Sequence, residues 1–382
     1  MTMPFAVLLA ALALAATAPA APLAAQQGET FQSEQASFRL ERVAGPLEHP
    51  WGLAFLPDGS MLVTERPGRL RLATPQGRLS EPLKGLPRID SGGQGGLLDV
   101  ATAPDFAQSR RVYISYTEPG QGGVNGTAIA HGRLSDDGTA LEQVTVIFQQ
   151  MPKFSGGHHF GSRLAFAPDG TLFATLGERN SQREKAQDLS THLGKIVRIN
   201  PDGSVPKDNP FVGRGDARPE IYSYGHRNPQ GLTIHPETGQ LWEHEHGARG
   251  GDEINLPQPG RNYGWPVISY GVHYSGAKIG QGQERQGMEQ PIHYWDPSIA
   301  PSGMAFYNGD KFPGWKGDLF VGALVQTHLA RLEVEGTRIV REERLLEDWG
   351  ERIRDVRAGP DGALYLLNDH PDAAIWRLVP AE

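Results

Sequence analysis

One unit recurs six times along this chain, and that repetition restricts the fold more than any other feature. In each copy a short apolar strand runs into a Pro-Asp-Gly-type turn and then into a second, alternating strand. The clearest copies are GLAFLPDGSMLVTE from Gly52, RLAFAPDGTLFATLGE from Arg163 and VRAGPDGALYLLND from Val356. Looser copies start at Leu97, Gly231 and Gly303. Pro presets the turn, Asp bonds the local main chain and Gly supplies a positive φ, so the flanking runs become antiparallel hairpins. Third strands follow most copies, such as GRLRL from Gly68 and GKIVRIN from Gly194. Units with an apolar face on both sides stack around an axis, so the expected fold is all-β, a six-bladed β-propeller. Open sandwich packing is the alternative. Residues 37–43 (SFRLERV) alternate apolar and polar and should complete the last blade as an outer strand. The longest insertions follow Leu176, Pro201 and Pro257, and they are expected to wall a pocket on one face.

Residues 1–25 are apolar and Ala-rich and end in small residues, which fits a cleaved secretory signal. No Lys or Arg precedes the apolar run, so an uncleaved anchor is the alternative. Residues 26–382 would then form the propeller domain, periplasmic or secreted, with no membrane span in the mature chain. Without any Cys, the fold in an oxidising compartment must rest on packing and metals. A formal net charge of -8 argues against nucleic acid or an anionic membrane as the main partner. An acidic ligand would need a local cluster of Arg.

Four segments carry chemistry. FSGGHHFGSRL, starting at Phe154, sets two His between Gly residues, where an imidazole can point into a central cavity as a general base. Loop decoration or a metal site is the other reading. SYGHRNPQGL, starting at Ser223, places Arg227 beside a Pro that pins the loop, either as a fixed charge at a ligand or as a structural Arg. HEHGARGGDEINL combines a Gly-rich turn with Asp252 and Glu253, an oxygen-rich set that suits calcium, while His244 and His246 keep zinc open. In ERIRDVRAGPDG, Arg352 and Arg354 share a strand face and could either hold a polyanion or form cross-strand salt bridges.

The segments GQGGLLDV, GGHHFGSRL, GHRNPQGL, HEHGARGGDEIN, NYGWP, LFVGAL and RIRDV occur in the order seen in the soluble glucose and aldose sugar dehydrogenases that depend on pyrroloquinoline quinone (PQQ). Over nearly the whole mature chain the sequence resembles that family, and it looks closer to the broad-specificity aldose branch. The resemblance implies PQQ and Ca2+ as cofactors and an aldose sugar as substrate. His159, four residues before Arg163, would be the base that takes the C1 hydroxyl proton while hydride passes to the quinone, giving the lactone. Arg227 would assist at the quinone oxygen. Gln94, Arg227, Asn228, Ala323, Leu324, Arg352 and Arg354 would contact PQQ. Gly247 and Ala248 align with a Gly-Pro pair whose carbonyls bind the cofactor's calcium, and Glu253 and Tyr263 match further calcium positions. Where the family carries Lys after Gly-Ala-Leu, this chain has Val325, and Lys195 or Arg331 is a candidate replacement. No heme-attachment motif is present, so a separate electron acceptor is implied, to a monomer or homodimer. A calcium-dependent lactonase-type hydrolase and a non-catalytic sugar-binding propeller are the competing readings.

Overall fold

A computed structural model describes residues 29–381, and the expected signal at residues 1–25 lies outside them. Six antiparallel sheets follow one another along the chain. Their innermost strands are Pro50–Phe55, Leu97–Thr102, Leu164–Phe166, Pro229–Ile234, Pro301–Phe306 and Ile353–Ala358, each packed beside the next so that the ring closes. Each is followed by a second strand that returns from the axis: Met61–Glu65, Arg111–Pro119, Leu172–Leu176, Leu241–Glu245, Leu319–Ala323 and Leu364–Asn368. The first blade has three strands, the next four have four each, and the last has five.

The chain closes its own ring. Ser37–Leu47 pairs with the C-terminal strand Ala373–Pro380, with Phe38 opposite Pro380 and Leu47 opposite Ala373. The outer-strand expectation for residues 37–43 is met, and Thr30–Gln32 adds one further strand outside it. Ring closure of this kind leaves no free sheet face between the first and last blades.

The hydrophobic core is divided among the gaps between blades. Leu62 and Leu70 meet Val100 and Ile114 in one gap, Trp242 and Ile254 meet Met304 and Val321 in another, and Leu367 and Ile375 meet Leu53 and Val63 at the closure. Each blade thus buries both faces against its neighbours, as the repeat required.

The axis itself is filled by charge. Arg163, fully buried, reaches Asp99 at 3.1 Å and Asp355 at 3.0 Å with its Nη1, gives Nε to the Gln230 carbonyl and lies over the Trp51 ring at 4.1 Å. Arg357 binds the same two carboxylates, each at 2.9 Å. Space for this cluster comes from Gly52 and Gly303 on the inner strands, where an added Cβ would strike Asp99 and Asp355 respectively. The ion network joins the second, third and sixth blades, and two Arg against two Asp leave it neutral.

Among the described residues no helix is long and apolar enough to cross a membrane.

Candidate functional site

A cavity of about 270 Å³ opens where the inner strands begin, and a second of about 470 Å³ adjoins it, sharing His246, Ala300 and Val325. The three long insertions contribute little to these walls: of their residues only Tyr274 reaches a cavity, which corrects the expectation that they would form the pocket. They connect second, third and outer strands, so most of their length lies away from the axis. The insertion after Leu176 acts from beneath instead, through Glu178 and Arg179.

His159 sits beside the first cavity in the left-handed backbone region, at φ 53°. Its backbone N–H donates to Gln94 Oε1 at 2.9 Å, and Gln94, Phe160 and Gly161 line the cavity. Its Nδ1 lies 3.0 Å from Glu178 Oε1, both side chains being buried, and Nε2 makes no hydrogen bond among the described residues. Burial lowers its pKa; the bond to Glu178 opposes that shift and the charge of Arg227 adds to it. That direction favours the neutral imidazole, the form in which it can act as a base. His158 is exposed, with its ring perpendicular to that of His159.

Arg179 fixes this loop. Its guanidinium binds the carbonyls of His158, Asn125 and Gly156 and lies 4.0 Å over the Phe160 ring. Neither Glu178 nor Arg179 is evident from sequence, because both lie on the far side of a hairpin from the His pair.

Arg227 and Asn228 are stitched to the same loop. The Arg227 carbonyl accepts from the Glu178 N–H at 2.9 Å, and Asn228 Oδ1 accepts from the Gly161 N–H at 3.2 Å. Glu245 holds the segment from behind by accepting the backbone N–H of both Arg227 and Asn228. Asn228 lines the first cavity, while the Arg227 side chain bonds the His246 carbonyl at 3.1 Å and lies over Trp265. His246 also lines the cavity; burial pulls its pKa down to about 4, and its Nε2 is engaged by the Pro301 carbonyl.

The opposite wall is cationic. Arg352 and Arg354 both line it, although Arg352 stands one residue ahead of its strand, and Arg66 joins them. Asp369 is the one carboxylate of this wall, 2.8 Å from Arg354 and 3.5 Å from Arg352. Among the described residues the buried Nε atoms of Arg66 and Arg354 have no partner. Leu324 lines the cavity, whereas Ala323 is buried at the end of its strand. Lys195 and Arg331 do not replace a cavity cation: Lys195 gives its ammonium to the carbonyls of Lys185, Ala186 and Leu193, and Arg331 is paired with Asp318 and Glu343.

Gly247 and Ala248 border the second cavity together with Asp296. Asp252, in contrast, is engaged by the protein itself. Its Oδ1 accepts from the Gly247 N–H and its Oδ2 from Ser298 Oγ and the N–H groups of Ile299 and Ala300, so it shapes the turn. Glu253 and Tyr263 line neither cavity. Glu253 lies opposite Glu245 in the sheet, and the Tyr263 ring stacks on His226 at 4.8 Å. They border a buried group, His226, Glu243 and Glu245, whose ligating atoms lie within 4.8 Å of one another. Both Glu243 oxygens lack a hydrogen-bond partner among the described residues, and burial, then Glu245, pushes its pKa well above the usual range. Such a cluster is costly unless protonated or neutralised by a cation, and its carboxylate oxygens suit a hard one. Among the described residues this is the one such group, and neither His244 nor His246 belongs to it.

The Glucose / Sorbosone dehydrogenase family model matches residues 47–377. The aldose sugar dehydrogenase YliI of Escherichia coli (strain K12) is 51% identical over 348 residues, spanning 90% of this chain and 94% of that protein. A crystal structure of a glucose dehydrogenase superposes with a TM-score of 0.88 at 56% identity, covering 90% of this chain and 99% of that one. The PQQ-bound form of the aldose sugar dehydrogenase from Streptomyces coelicolor gives a TM-score of 0.76 at 30% identity, covering 90% of this chain and 98% of that one. The inner-strand ring, the His159 loop and the Arg-lined cavity are thus carried by a chain that belongs to the glucose/sorbosone dehydrogenase family.

Proposed function

We propose that this protein is a PQQ- and calcium-dependent aldose sugar dehydrogenase that oxidises the C1 hydroxyl of an aldose to the lactone. The observation that carries the reading is a buried His159–Glu178 pair beside an axial cavity walled by three Arg and one Asp. A polycarboxylate suits that wall, since two buried Nε donors are left without partners among the described residues. The S. coelicolor relative is described as PQQ-bound, which agrees with the chemistry of the cavity.

Bound PQQ would supply the hydride-accepting quinone, and bound calcium a positive charge beside its oxygen. The chain's own residues do the rest. Nδ1–H of His159 is held by Glu178, which leaves Nε2 to take the C1 hydroxyl proton. Gln94 fixes the backbone of His159 and faces the cavity, and Asn228 ties the base loop to Arg227. Arg352 and Arg354 orient carboxylates on the opposite wall. Gly247 and Ala248 would present carbonyls to calcium at the edge of the cavities, while Glu253 and Tyr263 flank a second candidate position. A sugar and a separate acceptor would be met after export.

The test adds PQQ and calcium to apo protein and follows dye reduction with a panel of aldoses. Turnover that needs all three components is expected. Calcium-dependent hydrolysis of lactones without PQQ would replace the reading with the hydrolase one, and sugar binding without turnover would replace it with a binding propeller.

A further inference from the structure

In four of the six blades the residue after the second strand lies in the wall of the axial cavity. His246 follows Leu241–Glu245, Leu324 follows Leu319–Ala323 and Asp369 follows Leu364–Asn368, and all three line it. In the first blade the equivalent residue is Arg66, which follows Met61–Glu65 and lines the same cavity. Its main chain is held on both sides: the N–H donates to the His49 carbonyl at 3.0 Å, and the carbonyl accepts from the Leu97 N–H at 3.3 Å. Gly96, at φ 140°, permits that approach, because a Cβ there would collide with the Arg66 carbonyl. The guanidinium therefore projects from a rigid frame.

What it projects toward is unusual for a partly buried cation. Arg66 makes no side-chain hydrogen bond or ion pair among the described residues, and its Nε is buried. The nearby carboxylate of Asp369 is already taken by Arg354 at 2.8 Å and His49 at 3.1 Å. Arg352 gives Nη1 to the Leu324 carbonyl at 2.7 Å. Burial, then the charge of Arg354, lowers the pKa of Arg66, so its charge is held against local repulsion. Three guanidinium groups against one carboxylate leave two positive charges on this wall, which calls for a ligand with at least two negative charges.

We propose that Arg66 is a cofactor-binding residue, a third guanidinium that takes a carboxylate of the cofactor alongside Arg352 and Arg354. The inference rests on the PQQ reading and goes beyond it in naming a residue outside the resemblance. Losing one charge-assisted hydrogen bond weakens binding by roughly tenfold to a hundredfold.

Trp51 lines the cavity, so quenching of tryptophan fluorescence can report binding. PQQ is titrated into calcium-loaded apo protein as wild type, Arg66→Met and Arg66→Lys, each with a thermal melt of the apo form. Arg66→Met should weaken PQQ by roughly tenfold or more and leave the apo melt unchanged or raised, because repulsion with Arg354 is removed. Arg66→Lys should recover part of the loss. Wild-type affinity in Arg66→Met overturns the inference while leaving the function standing. A lowered apo melt with no recovery by Lys also overturns it and makes Arg66 a structural residue. If the wild type binds no PQQ, the proposed function fails and this inference with it.

Discussion

Replacing Glu178 with Gln isolates the charge behind the base. Glu178 Oε1 lies 3.0 Å from His159 Nδ1, and the amide oxygen of Gln can accept the same bond. The Gln nitrogen would stand where Oε2 has no partner among the described residues, so no existing bond is broken there. What disappears is the difference between a charged and a neutral hydrogen bond, about 1 to 1.5 kcal/mol. That is roughly one pKa unit for the imidazole. Glu178 raises the pKa of His159 against the larger effect of burial, so removing its charge lowers that pKa further. The acid limb of the kcat profile should move down by about one unit and the plateau should fall by a few-fold, at most about tenfold, as a weaker base does less work. Steady-state dye reduction from about pH 4 to 9 reads both, with PQQ affinity measured in parallel. An unchanged limb and plateau would refute the role of Glu178 behind the base, and a collapse of PQQ affinity would place Glu178 at the cofactor instead.

Changing His159 to Ala should cut turnover by roughly a hundredfold or more while PQQ still binds, and the exposed His158 should tolerate the same change; the reverse pattern means the wrong imidazole. Exhaustive chelation should abolish activity, calcium should restore it better than zinc, and full activity after chelation contradicts the metal assignment. Val325 is 48% exposed and lines both cavities, so Val325→Lys should tighten PQQ by up to about tenfold with a normal melt. Unchanged affinity there would mean that the existing cations suffice, and a collapsed melt would contradict the open position of this side chain.

The blades were legible because their hairpin turns are built from Pro, Asp and Gly, residues whose backbone preferences act locally. The closing strand at residues 37–43 was legible by alternation alone, but the short strand Thr30–Gln32 carries too few residues to show a period. Site residues divide along the same line. Arg352 and Arg354 follow from spacing, whereas Glu178 lies 19 residues from His159 and meets it only because Leu164–Phe166 and Leu172–Leu176 pair. Asp252 reads as an oxygen ligand because charge and Gly-rich context are visible in the sequence, while the donors that bond its Oδ2 arrive from residues 298–300. Lys195 and Arg331 looked available for the same reason, and their partners are equally non-local. Arg66 lies outside every one of the motifs. Aligning the repeats places it level with His246, Leu324 and Asp369, so its position carried a signal that its ordinary surroundings, TERPG, did not.

The most direct measurement is an anaerobic single turnover. Protein loaded with PQQ and calcium is mixed with an aldose carrying hydrogen or deuterium at C1, and the absorbance of the bound quinone is followed alongside lactone release. The account predicts reduction of the bound quinone, one lactone formed per PQQ reduced, a slower reaction with deuterium, and loss of the fast phase in His159→Ala with PQQ still bound. Bound PQQ that stays oxidised while sugar occupies the cavity would contradict it.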